Sequence, residues 1–528
     1  MKNKTLFYNA RVYTQAAGLM VDSIALHGNR VVAIGNGLQH DSDFKSNGKI
    51  DLKRKTVVPG LVDAHTHFYY FAVSLGRVAL DGLPTLDACL KKIKIFAATL
   101  PRDAWVVGDG YSPDRFTRRI EPDRYMLDKV TQGRPAFIFS KDQHNAWVNS
   151  RALELAEIDA RTPDPGDAAI DRDARREPTG ILREHGAYHR VWTKIPQVSD
   201  REVDRRWAQA LDHAYRRGVT GVHSFDSPEA LPYLTTRAET GKLGLRIEHY
   251  PSARLLPQLA ASKTYYGTGT PFFRIAGVKI FADGSLGSQT ALCFNPYIGS
   301  KGNYGIETTS VEQIVQQAKA ASRLGLPCAV HAIGDKAISN VLDALEQRPM
   351  PQFGARHRIE HVQMIRRSDI PRLKKLGIVA SMQPSHCTSD IELVRKYWGT
   401  RGKNAYIFGT LLKSGIDLAF GSDAPIEPLD PLAGIEAAVR RARPRSKDVF
   451  YPRERLMVEQ ALFGFTVGPA IAAGQEHCRG YLLPGYPADL TILEEDITKI
   501  AASRIGRTEV LATILDGRVV YHDSSLRL

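Results

Sequence analysis

Residues able to hold a divalent metal ion recur at the ends of short apolar runs along this chain. The first run, VVPGLVDAHTH, ends in His65 and His67, whose side chains point the same way because side chains alternate along a strand. Imidazoles and carboxylates are the ligands of zinc and similar divalent metals. Further candidates at the ends of later runs are Lys279 in RIAGVKIFAD, His331 in PCAVHAIGD, His361 in HRIEHV and Asp423 in DLAFGSDAP.

Coincidence of these positions is what favours a metal site. A lone histidine near a strand end is more often a hydrogen-bonded core or surface residue, and one His-x-His can arise by chance among 16 histidines. Here four histidines and an aspartate all fall at the ends of runs assigned from their apolar residues alone. The pattern therefore indicates one metal centre, provided that the fold brings these distant positions together.

The elements that must do so alternate between apolar runs and helix-like segments. VEQIVQQAKAASRLG, for example, has apolar residues recurring every three or four positions. The five runs above, together with VTGVHSFD, LRIEHY and IVASMQP, make eight in this alternation. They predict an α/β fold, a TIM-like (β/α)8 barrel that gathers its strand ends on one face. About 150 residues separate the first two runs, far more than one helix requires, so we expect a cap inserted after strand one.

Both ends of the chain read as short strands joined by tight turns. Gly28 and Asn29 separate two β-rich runs near the start, and Asp516 and Gly517 do so near the end. These ends predict a small β-sandwich built from both termini. The expected boundaries are 1–56 and 469–528 for the sandwich, 57–74 and 206–468 for the barrel, and 75–205 for the cap.

Composition narrows the class of protein. The chain has 528 residues, and no apolar stretch approaches the ~20 residues of a membrane span. Its start, MKNKTLFYNARVY, contains no uninterrupted apolar region of the kind that a secretory signal has. Five scattered cysteines fit a reducing cytoplasm. The net charge is +14, but the sequence contains no nucleic-acid-binding motif, and its densest basic segment, VRRARPRSK, is short. We expect a cytoplasmic protein with no nucleic-acid or membrane partner, and a homodimer stays open.

Several blocks resemble one known family. PGLVDAHTH, GVKIFADGSLGSQTA, HAIGD, RHRIEH, GSDAP and LLPGYPADLTIL resemble the amidohydrolase superfamily. SKDQHNAWVNSRAL and EPTGILREH resemble motifs of its YtcJ-like, amidohydrolase-3 branch, which includes N-substituted formamide deformylases. The resemblance covers nearly the whole chain, and it is far more specific for fold and metal site than for substrate.

The resemblance implies a role for each ligand. His65 and His67 would hold the more buried of two metal ions, and His331 and His361 the more exposed one. Asp423 would contact the buried metal and transfer protons. The alternative for Asp423 is that it is only a metal ligand and transfers no proton.

Lys279 is the informative member of the set. By the resemblance it would bridge two divalent ions, which we expect to be zinc, as an N6-carboxylated lysine, because an ammonium group would be repelled by both cations. If Lys279 is unmodified, a surface or ion-paired lysine beside a one-metal site is the better interpretation. For the two-ion site, the resemblance implies that a metal-activated hydroxide would attack a carbonyl carbon. Asp423 would take the proton of the hydroxide and pass it to the leaving nitrogen.

Substrate contacts are predicted mainly in the cap. His144 in QHNAWVN would donate a hydrogen bond to the developing oxyanion as a second catalytic residue. Trp147, Glu184 and Tyr111 are further candidates for substrate binding, and His386 in MQPSHC is a weaker one. The alternative for each is ordinary: a capping or packing histidine, or aromatic rings that simply form core.

These observations predict a metal-dependent hydrolase of carbon–nitrogen bonds other than peptide bonds, acting on a small amide, N-acyl or N-formyl amine. One alternative is a one-metal deaminase of a heterocycle, which Lys279 argues against. Another is a non-catalytic binding or regulatory protein on a hydrolase scaffold. Arg358 and Glu360 flank His361, but strand alternation points both away from its face.

Overall fold

The structure is a computed structural model that describes most of the chain. The described residues are 4–44, 48–113, 116–118, 120–141, 143, 145–165, 168–196, 198–347, 354–443 and 446–526. Two compact units are present: the first comprises Met1–Tyr69 with Ala210–Leu528, and the second comprises Tyr70–Gln209. The four domain boundaries expected from the sequence stay predictions.

Short strands make up much of the described chain. In chain order they are β1 (Thr5–Tyr8), β2 (Arg11–Tyr13), β3 (Met20–Val21), β4 (Ser23–His27), β5 (Arg30–Gly35), β6 (Lys49–Asp51), β7 (Thr56–Pro59), β8 (Leu61–Thr66), β9 (Val78–Ala79), β10 (Val106–Tyr111), β11 (Ala136–Ser140), β12 (Asn145–Val148), β13 (Ala169–Arg172), β14 (Pro178–Arg183), β15 (Val219–Ser224), β16 (Arg246–His249), β17 (Gly269–Thr270), β18 (Phe273–Ile275), β19 (Val278–Phe281), β20 (Cys328–Ala332), β21 (Arg358–His361), β22 (Val379–Met382), β23 (Leu418–Phe420), β24 (Leu490–Leu493), β25 (Val510–Leu515) and β26 (Arg518–His522).

Helices alternate with many of these strands. In chain order they are α1 (Phe68–Ser74), α2 (Leu86–Ala98), α3 (Arg124–Thr131), α4 (Ser150–Leu155), α5 (Glu184–Trp192), α6 (Asp200–Arg216), α7 (Ala230–Glu239), α8 (Leu256–Ala261), α9 (Val311–Ser322), α10 (Asp335–Leu345), α11 (Ile370–Lys375), α12 (Pro384–Ser389), α13 (Ile391–Leu393), α14 (Phe408–Lys413), α15 (Pro431–Arg440), α16 (Val458–Gly464) and α17 (Val467–Ala472). The described helices include none long and apolar enough to cross a bilayer.

Strands from the two ends of the chain pair with each other. One sheet has the order β26-β25-β24-β7-β2-β3, and β24 runs antiparallel to β7. A second sheet, β5-β4-β1-β6, contributes Phe7 and Ile24 to the same apolar cluster as Ile492 and Ile514. The predicted pairing of the termini is therefore observed, and one core is shared by the strands of both ends.

The turn of the last hairpin needs its glycine. Asp516 and Gly517 have φ of 52° and 71°, as a two-residue hairpin with left-handed residues requires. A Cβ on Gly517 would lie 1.9 Å from the carbonyl oxygen of Gly28, the turn residue of the first predicted hairpin. The two predicted hairpin turns therefore touch, and the close approach explains why glycine stands at Gly517.

Each of the eight predicted runs contains a strand with parallel neighbours. The strands lie in two five-stranded sheets, β17-β18-β16-β15-β8 and β19-β20-β21-β22-β23. Single bridges join the sheets, between Thr66 and Ala424 and between Ser252 and Lys279. The described strands thus do not form one closed ladder, which differs from the predicted closed barrel. Isolated bridges replace continuous pairing at these two junctions.

The second unit contains a sheet of its own, with the order β13-β14-β12-β11-β10-β9. β10 and β11 are formed by the apolar segments WVVGDGY and PAFIFSKD, and they run parallel. Helix α2 packs its buried face, which includes Cys89 and Ile93, into the apolar cluster on this sheet.

Candidate metal centre

Three predicted ligands converge at the carboxyl ends of β8, β21 and β23. His65, His361 and Asp423 each offer a ligand atom, and these atoms lie within 4.8 Å of one another. Asp423 Oδ1 is 3.5 Å from His65 Nε2 and 3.4 Å from His67 Nε2. Three predicted ligands therefore converge from distant parts of the sequence, and His67 contacts the carboxylate of one of them, Asp423.

The hydrogen bonds of three imidazoles leave one ring nitrogen of each ring free for a metal. His65 donates its Nδ1–H to Glu360 Oε2 over 2.6 Å, which leaves the lone pair on Nε2, the atom facing Asp423. His361 donates its Nδ1–H to Gln383 Oε1 over 2.8 Å. The Nε2–H of His331 is donated to the carbonyl oxygen of Gly284 over 3.0 Å, so its lone pair lies on Nδ1.

Burial keeps these imidazoles unprotonated. It lowers the pKa of His65 to about 4 and that of His331 to about 3, and it lowers the pKa of His361 well below the usual range. Burial also opposes ionisation of Asp423, but hydrogen bonding to His67 and the neighbouring His65 hold the pKa of its carboxyl well below normal. Neutral imidazoles beside a carboxylate are the donor set that a divalent metal takes up, so these residues fit one.

Lys279 lies in the wall of the same site. Its side chain is 3% exposed, and its Nζ is 4.6 Å from the Phe225 ring centroid and 5.0 Å from that of Phe281. Burial lowers the pKa of Lys279 to about 8. With a pKa of about 8, roughly a tenth of the amine is unprotonated at pH 7, and this neutral form is the nucleophile that modification of this lysine requires.

Strained backbone marks two of the ligands. His361 and Asp423 have left-handed φ angles of 74° and 62°, which non-glycine residues rarely adopt and which concentrate at functional sites. Gly421, in the GSDAP block, comes so close to β8 that a Cβ there would lie 2.4 Å from His65 N. The glycine therefore lets the loop that bears Asp423 reach the end of β8.

His386 lies at the edge of the cluster. It is 8% exposed on α12, and its Nε2 is 3.8 Å from Asp423 Oδ2. That nitrogen is buried and has no hydrogen-bond partner among the described residues. Its placement beside Asp423 is compatible with the predicted contact to a bound molecule, which stays a prediction.

Several residues that sequence reasoning missed hold the ligands in place. Asp63 accepts hydrogen bonds from His65 N and Ser422 N, both over 3.0 Å, and so ties β8 to the Asp423 loop. Phe225 stacks on the His65 ring with centroids 4.2 Å apart. The only sequence signal for Asp63 was its position within the LVDAHTH run, and Phe225 carried no signal.

Glu360 has a partner that the sequence did not suggest. Strand alternation correctly pointed it away from His361, yet it reaches across to the His65 ring of a different strand. Burial alone would raise the pKa of the Glu360 carboxyl, but Arg358 and His65 hold it well below its usual range. Gln383, in the MQPSHC run, was likewise unrecognised as the partner of His361.

The predicted cap residues lie in the second unit, where two of them are core. Trp147 is fully buried, donates its Nε1–H to the carbonyl of Asp123 and contacts Tyr111, which is 4% exposed. As placed, the Trp147 ring has no exposed surface to offer a ligand. Glu184 is half-buried at the start of α5 with a left-handed φ of 63°, and His144 lies outside the described residues.

Comparison with known proteins places the chain among amidohydrolases. The family model described as the amidohydrolase family matches residues 49–521. YtcJ of Bacillus subtilis is 32% identical over 90% of this chain and 91% of its own. The N-substituted formamide deformylase of Arthrobacter pascens is 26% identical, with 98% of each chain covered. The crystal structure of a metal-dependent hydrolase from Pyrococcus furiosus, described as uncharacterized, is 30% identical with a TM-score of 0.77, covering 94% of this chain and 100% of that one.

The fold and the converging imidazoles and carboxylate thus define a metal-dependent hydrolase class. More particularly, the chain belongs to the amidohydrolase family. The family and its structural neighbours support a divalent metal at the site.

Proposed function

We propose that this chain hydrolyses the carbon–nitrogen bond of a small amide, an N-acyl amine or an N-formyl amine. The observation that carries the proposal is the convergence of His65, His361 and Asp423, with a free nitrogen on each ring. The similarity to a formamide deformylase supports the bond type. We propose a small molecule as the substrate and no nucleic-acid partner.

The residues that would hold the metal are His65, His67 and Asp423 on one side and His331 and His361 on the other. A divalent metal, which we propose to be zinc, supplies a Lewis acid that polarises a carbonyl and lowers the pKa of water. Lys279 supports a two-ion centre, because its neutral Nζ can attack carbon dioxide, lose one proton and become a carbamate whose single negative charge is shared by two oxygens.

Asp423 is the proposed proton carrier. A water oxygen adds to the substrate carbonyl carbon while the Asp423 carboxylate takes the water proton. The carbon–nitrogen bond then breaks as Asp423 returns that proton to the amine nitrogen, so atoms and charge balance. His386, 3.8 Å from Asp423, is proposed to contact the substrate, and His144 is proposed to donate a hydrogen bond to the carbonyl oxygen.

A one-metal site is the second candidate. It is favoured by the compact group of His65, His361 and Asp423, whose ligand atoms lie within 4.8 Å of one another and which does not include His331. In that case Lys279 is an unmodified amine and a deaminase becomes the better interpretation.

For the fold, we propose that the two five-stranded sheets are halves of one (β/α)8 barrel, that the terminal sheets are a β-sandwich, and that 75–205 is a cap.

A substrate panel tests the function. Chelator-treated protein reloaded with zinc would be assayed for amine release from N-formyl, N-acyl and cyclic amides, and for ammonia release from amino-substituted heterocycles. We expect metal-dependent hydrolysis of amides. Ammonia release from heterocycles without amide hydrolysis would instead identify a deaminase, and inactivity of the reloaded protein on all of them would support a non-catalytic role.

A further inference from the structure

A fully buried polar network lies behind the His65 ring. Its members are Glu360 and Arg358, both 0% exposed, and His223, 2% exposed. Glu360 Oε2 accepts the His65 Nδ1–H over 2.6 Å. A charged side chain removed from water is expensive unless it is paired, so the presence of this carboxylate at full burial calls for a partner and a purpose.

Arg358 is the partner, and it fixes where the carboxylate lies. Its Nε and Nη2 groups donate to Glu360 Oε1 over 2.5 Å and to Oε2 over 3.1 Å, a two-pronged contact. Nη2 also donates to the carbonyl of Ala64 and to Ser381 Oγ, and Nη1 donates to His223 Nδ1 over 2.7 Å. Since β8 and β15 belong to one parallel sheet and β21 and β22 to the other, one guanidinium links both sheets.

The network determines the state of the His65 ring. Donation of Nδ1–H to Glu360 leaves the lone pair on Nε2, which is the nitrogen 3.5 Å from Asp423. Phe225 stacks on the ring face at an interplanar angle of 15°, so the ring plane is held as well as its tautomer. The edge and the face of the imidazole are therefore both constrained before any metal binds.

The other two imidazoles have weaker acceptors. His361 donates to the neutral amide of Gln383, and His331 donates to the backbone carbonyl of Gly284. The Asp283 carboxyl lies 3.5 Å from His331 Nε2, but among these three rings as described His65 alone donates a hydrogen bond to a carboxylate oxygen, over 2.6 Å. A carboxylate behind an imidazole both orients it and raises its basicity toward a metal, whereas a neutral acceptor mainly orients it.

We infer that Glu360 is a positioning residue that strengthens metal binding through His65, and that Arg358 and His223 hold Glu360 in place for this task. The inference rests on the proposed metal centre, with His65 as a ligand. It assigns a purpose to a buried ion pair that contributes little as a source of stability, because burial of both charges offsets their attraction.

Zinc affinity of the full chain is the readout. Chelator-stripped protein would be titrated with Zn²⁺ against a chromophoric competitor, without any substrate. We expect Glu360→Gln to weaken binding of the tightest ion about 10–100-fold, the usual cost of losing such a partner. The matched control is Glu248→Gln, which removes another buried, arginine-paired carboxylate on β16 with no contact to a proposed ligand, and it should bind zinc like wild type.

Two further variants keep the result interpretable. Glu360→Gln leaves Arg358 without its counter-charge, so the double variant Arg358→Met with Glu360→Gln removes both charges and protects folding. It should show the same weakened zinc binding, while circular dichroism and a cooperative thermal melt show that the apo-protein is folded. His65→Ala tests whether the proposed metal centre exists, and this variant should lose the tightest zinc ion.

The outcomes separate the two claims. Zinc binding by His65→Ala at wild-type affinity would overturn the proposed metal centre. Weak binding by His65→Ala together with wild-type affinity in a folded Glu360 variant, single or double, would overturn the role of Glu360 alone. Equal weakening in Glu248→Gln would also overturn it, because the loss would then follow any buried carboxylate.

Discussion

Two clusters of the molecule contain the residue types that suggest chemistry, and they differ in where the polar atoms point. In the first unit, His65, His361 and Asp423 turn their ligand atoms toward one another within 4.8 Å. In the second unit, the Trp147 indole donates to the carbonyl of Asp123 and its ring packs against Tyr111 in a fully buried cluster. The first cluster leaves ring nitrogens and a carboxylate available, whereas the second has its polar atom bonded within its own core.

This difference shows how the same sequence signal acquires different roles. A histidine or tryptophan in a family-like block is functional only when the fold leaves an atom of it uncommitted. Substitutions in the two clusters should therefore affect different properties: activity and metal binding in the first, folding in the second.

Asp423→Asn should have the largest effect, because it keeps the shape of the side chain while removing the proposed proton carrier. We expect turnover on the best amide of the panel to fall about 10²–10⁴-fold, the range of general acid–base contributions. Steady-state kinetics together with a thermal melt would measure it, and the melt should change little. Turnover at the wild-type level would remove Asp423 from the mechanism.

Trp147→Ala should act on folding. Deleting a fully buried tryptophan costs about 3–5 kcal/mol of the free energy of unfolding through lost burial and a cavity. Chemical denaturation would measure it, with Tyr125→Ala, at a 51% exposed aromatic residue of the same unit, as the control expected to change by no more than about 0.5 kcal/mol. A stable Trp147→Ala protein with altered substrate preference would instead revive the predicted substrate contact.

His357 sharpens the contrast within a single motif, RHRIEH, where His361 is a proposed ligand. His357 Nδ1 accepts the Cys328 N–H over 3.0 Å, and burial lowers the pKa of His357 to about 4. Because the unfolded chain takes up this proton near pH 6.5 and the folded chain only near pH 4, stability is retained above pH 6.5 and lost as the pH falls between these values.

The expected loss from this one group between pH 7 and pH 5 is about 2 kcal/mol. His357→Asn keeps an acceptor for the Cys328 N–H but cannot be protonated. From pH 7 to pH 5, the free energy of unfolding of this variant should therefore fall by about 2 kcal/mol less than that of the wild type. Denaturation at both pH values would measure the difference, with the exposed His40→Asn as control. Identical pH dependence in wild type and His357→Asn would show that this histidine is not a source of acid sensitivity.

The strands and the convergence of His65, His361 and Asp423 were predictable because they leave local signals. Apolar runs ending in His65, His331 or Asp423 are visible in the sequence, and parallel strands place their ends on one edge. The hairpin at Asp516 and Gly517 was predictable from the same local chemistry. Continuous closure of the eight strands was not, since pairing between distant strands depends on registers that no local pattern records.

The partners of the ligands were the part that sequence could not supply. Strand alternation excluded Glu360 from the face of His361, but it could not say that the carboxylate would meet His65, which is 295 positions away. Gln383 and Phe225 likewise act through rings on other strands. Trp147 shows a second limit of the sequence. The pattern of residues does not distinguish an aromatic ring in the core from one that lines a pocket.

Metal content tests the central claim most directly. Elemental analysis of the purified wild-type chain should find stoichiometric divalent metal, about two ions per chain if Lys279 is carboxylated and about one if it is not. The His361→Ala variant, prepared in parallel and shown to be folded, should lose about one equivalent. Substoichiometric metal in wild type after zinc reloading, or a full complement in folded His361→Ala, would contradict a metal centre at these strand ends.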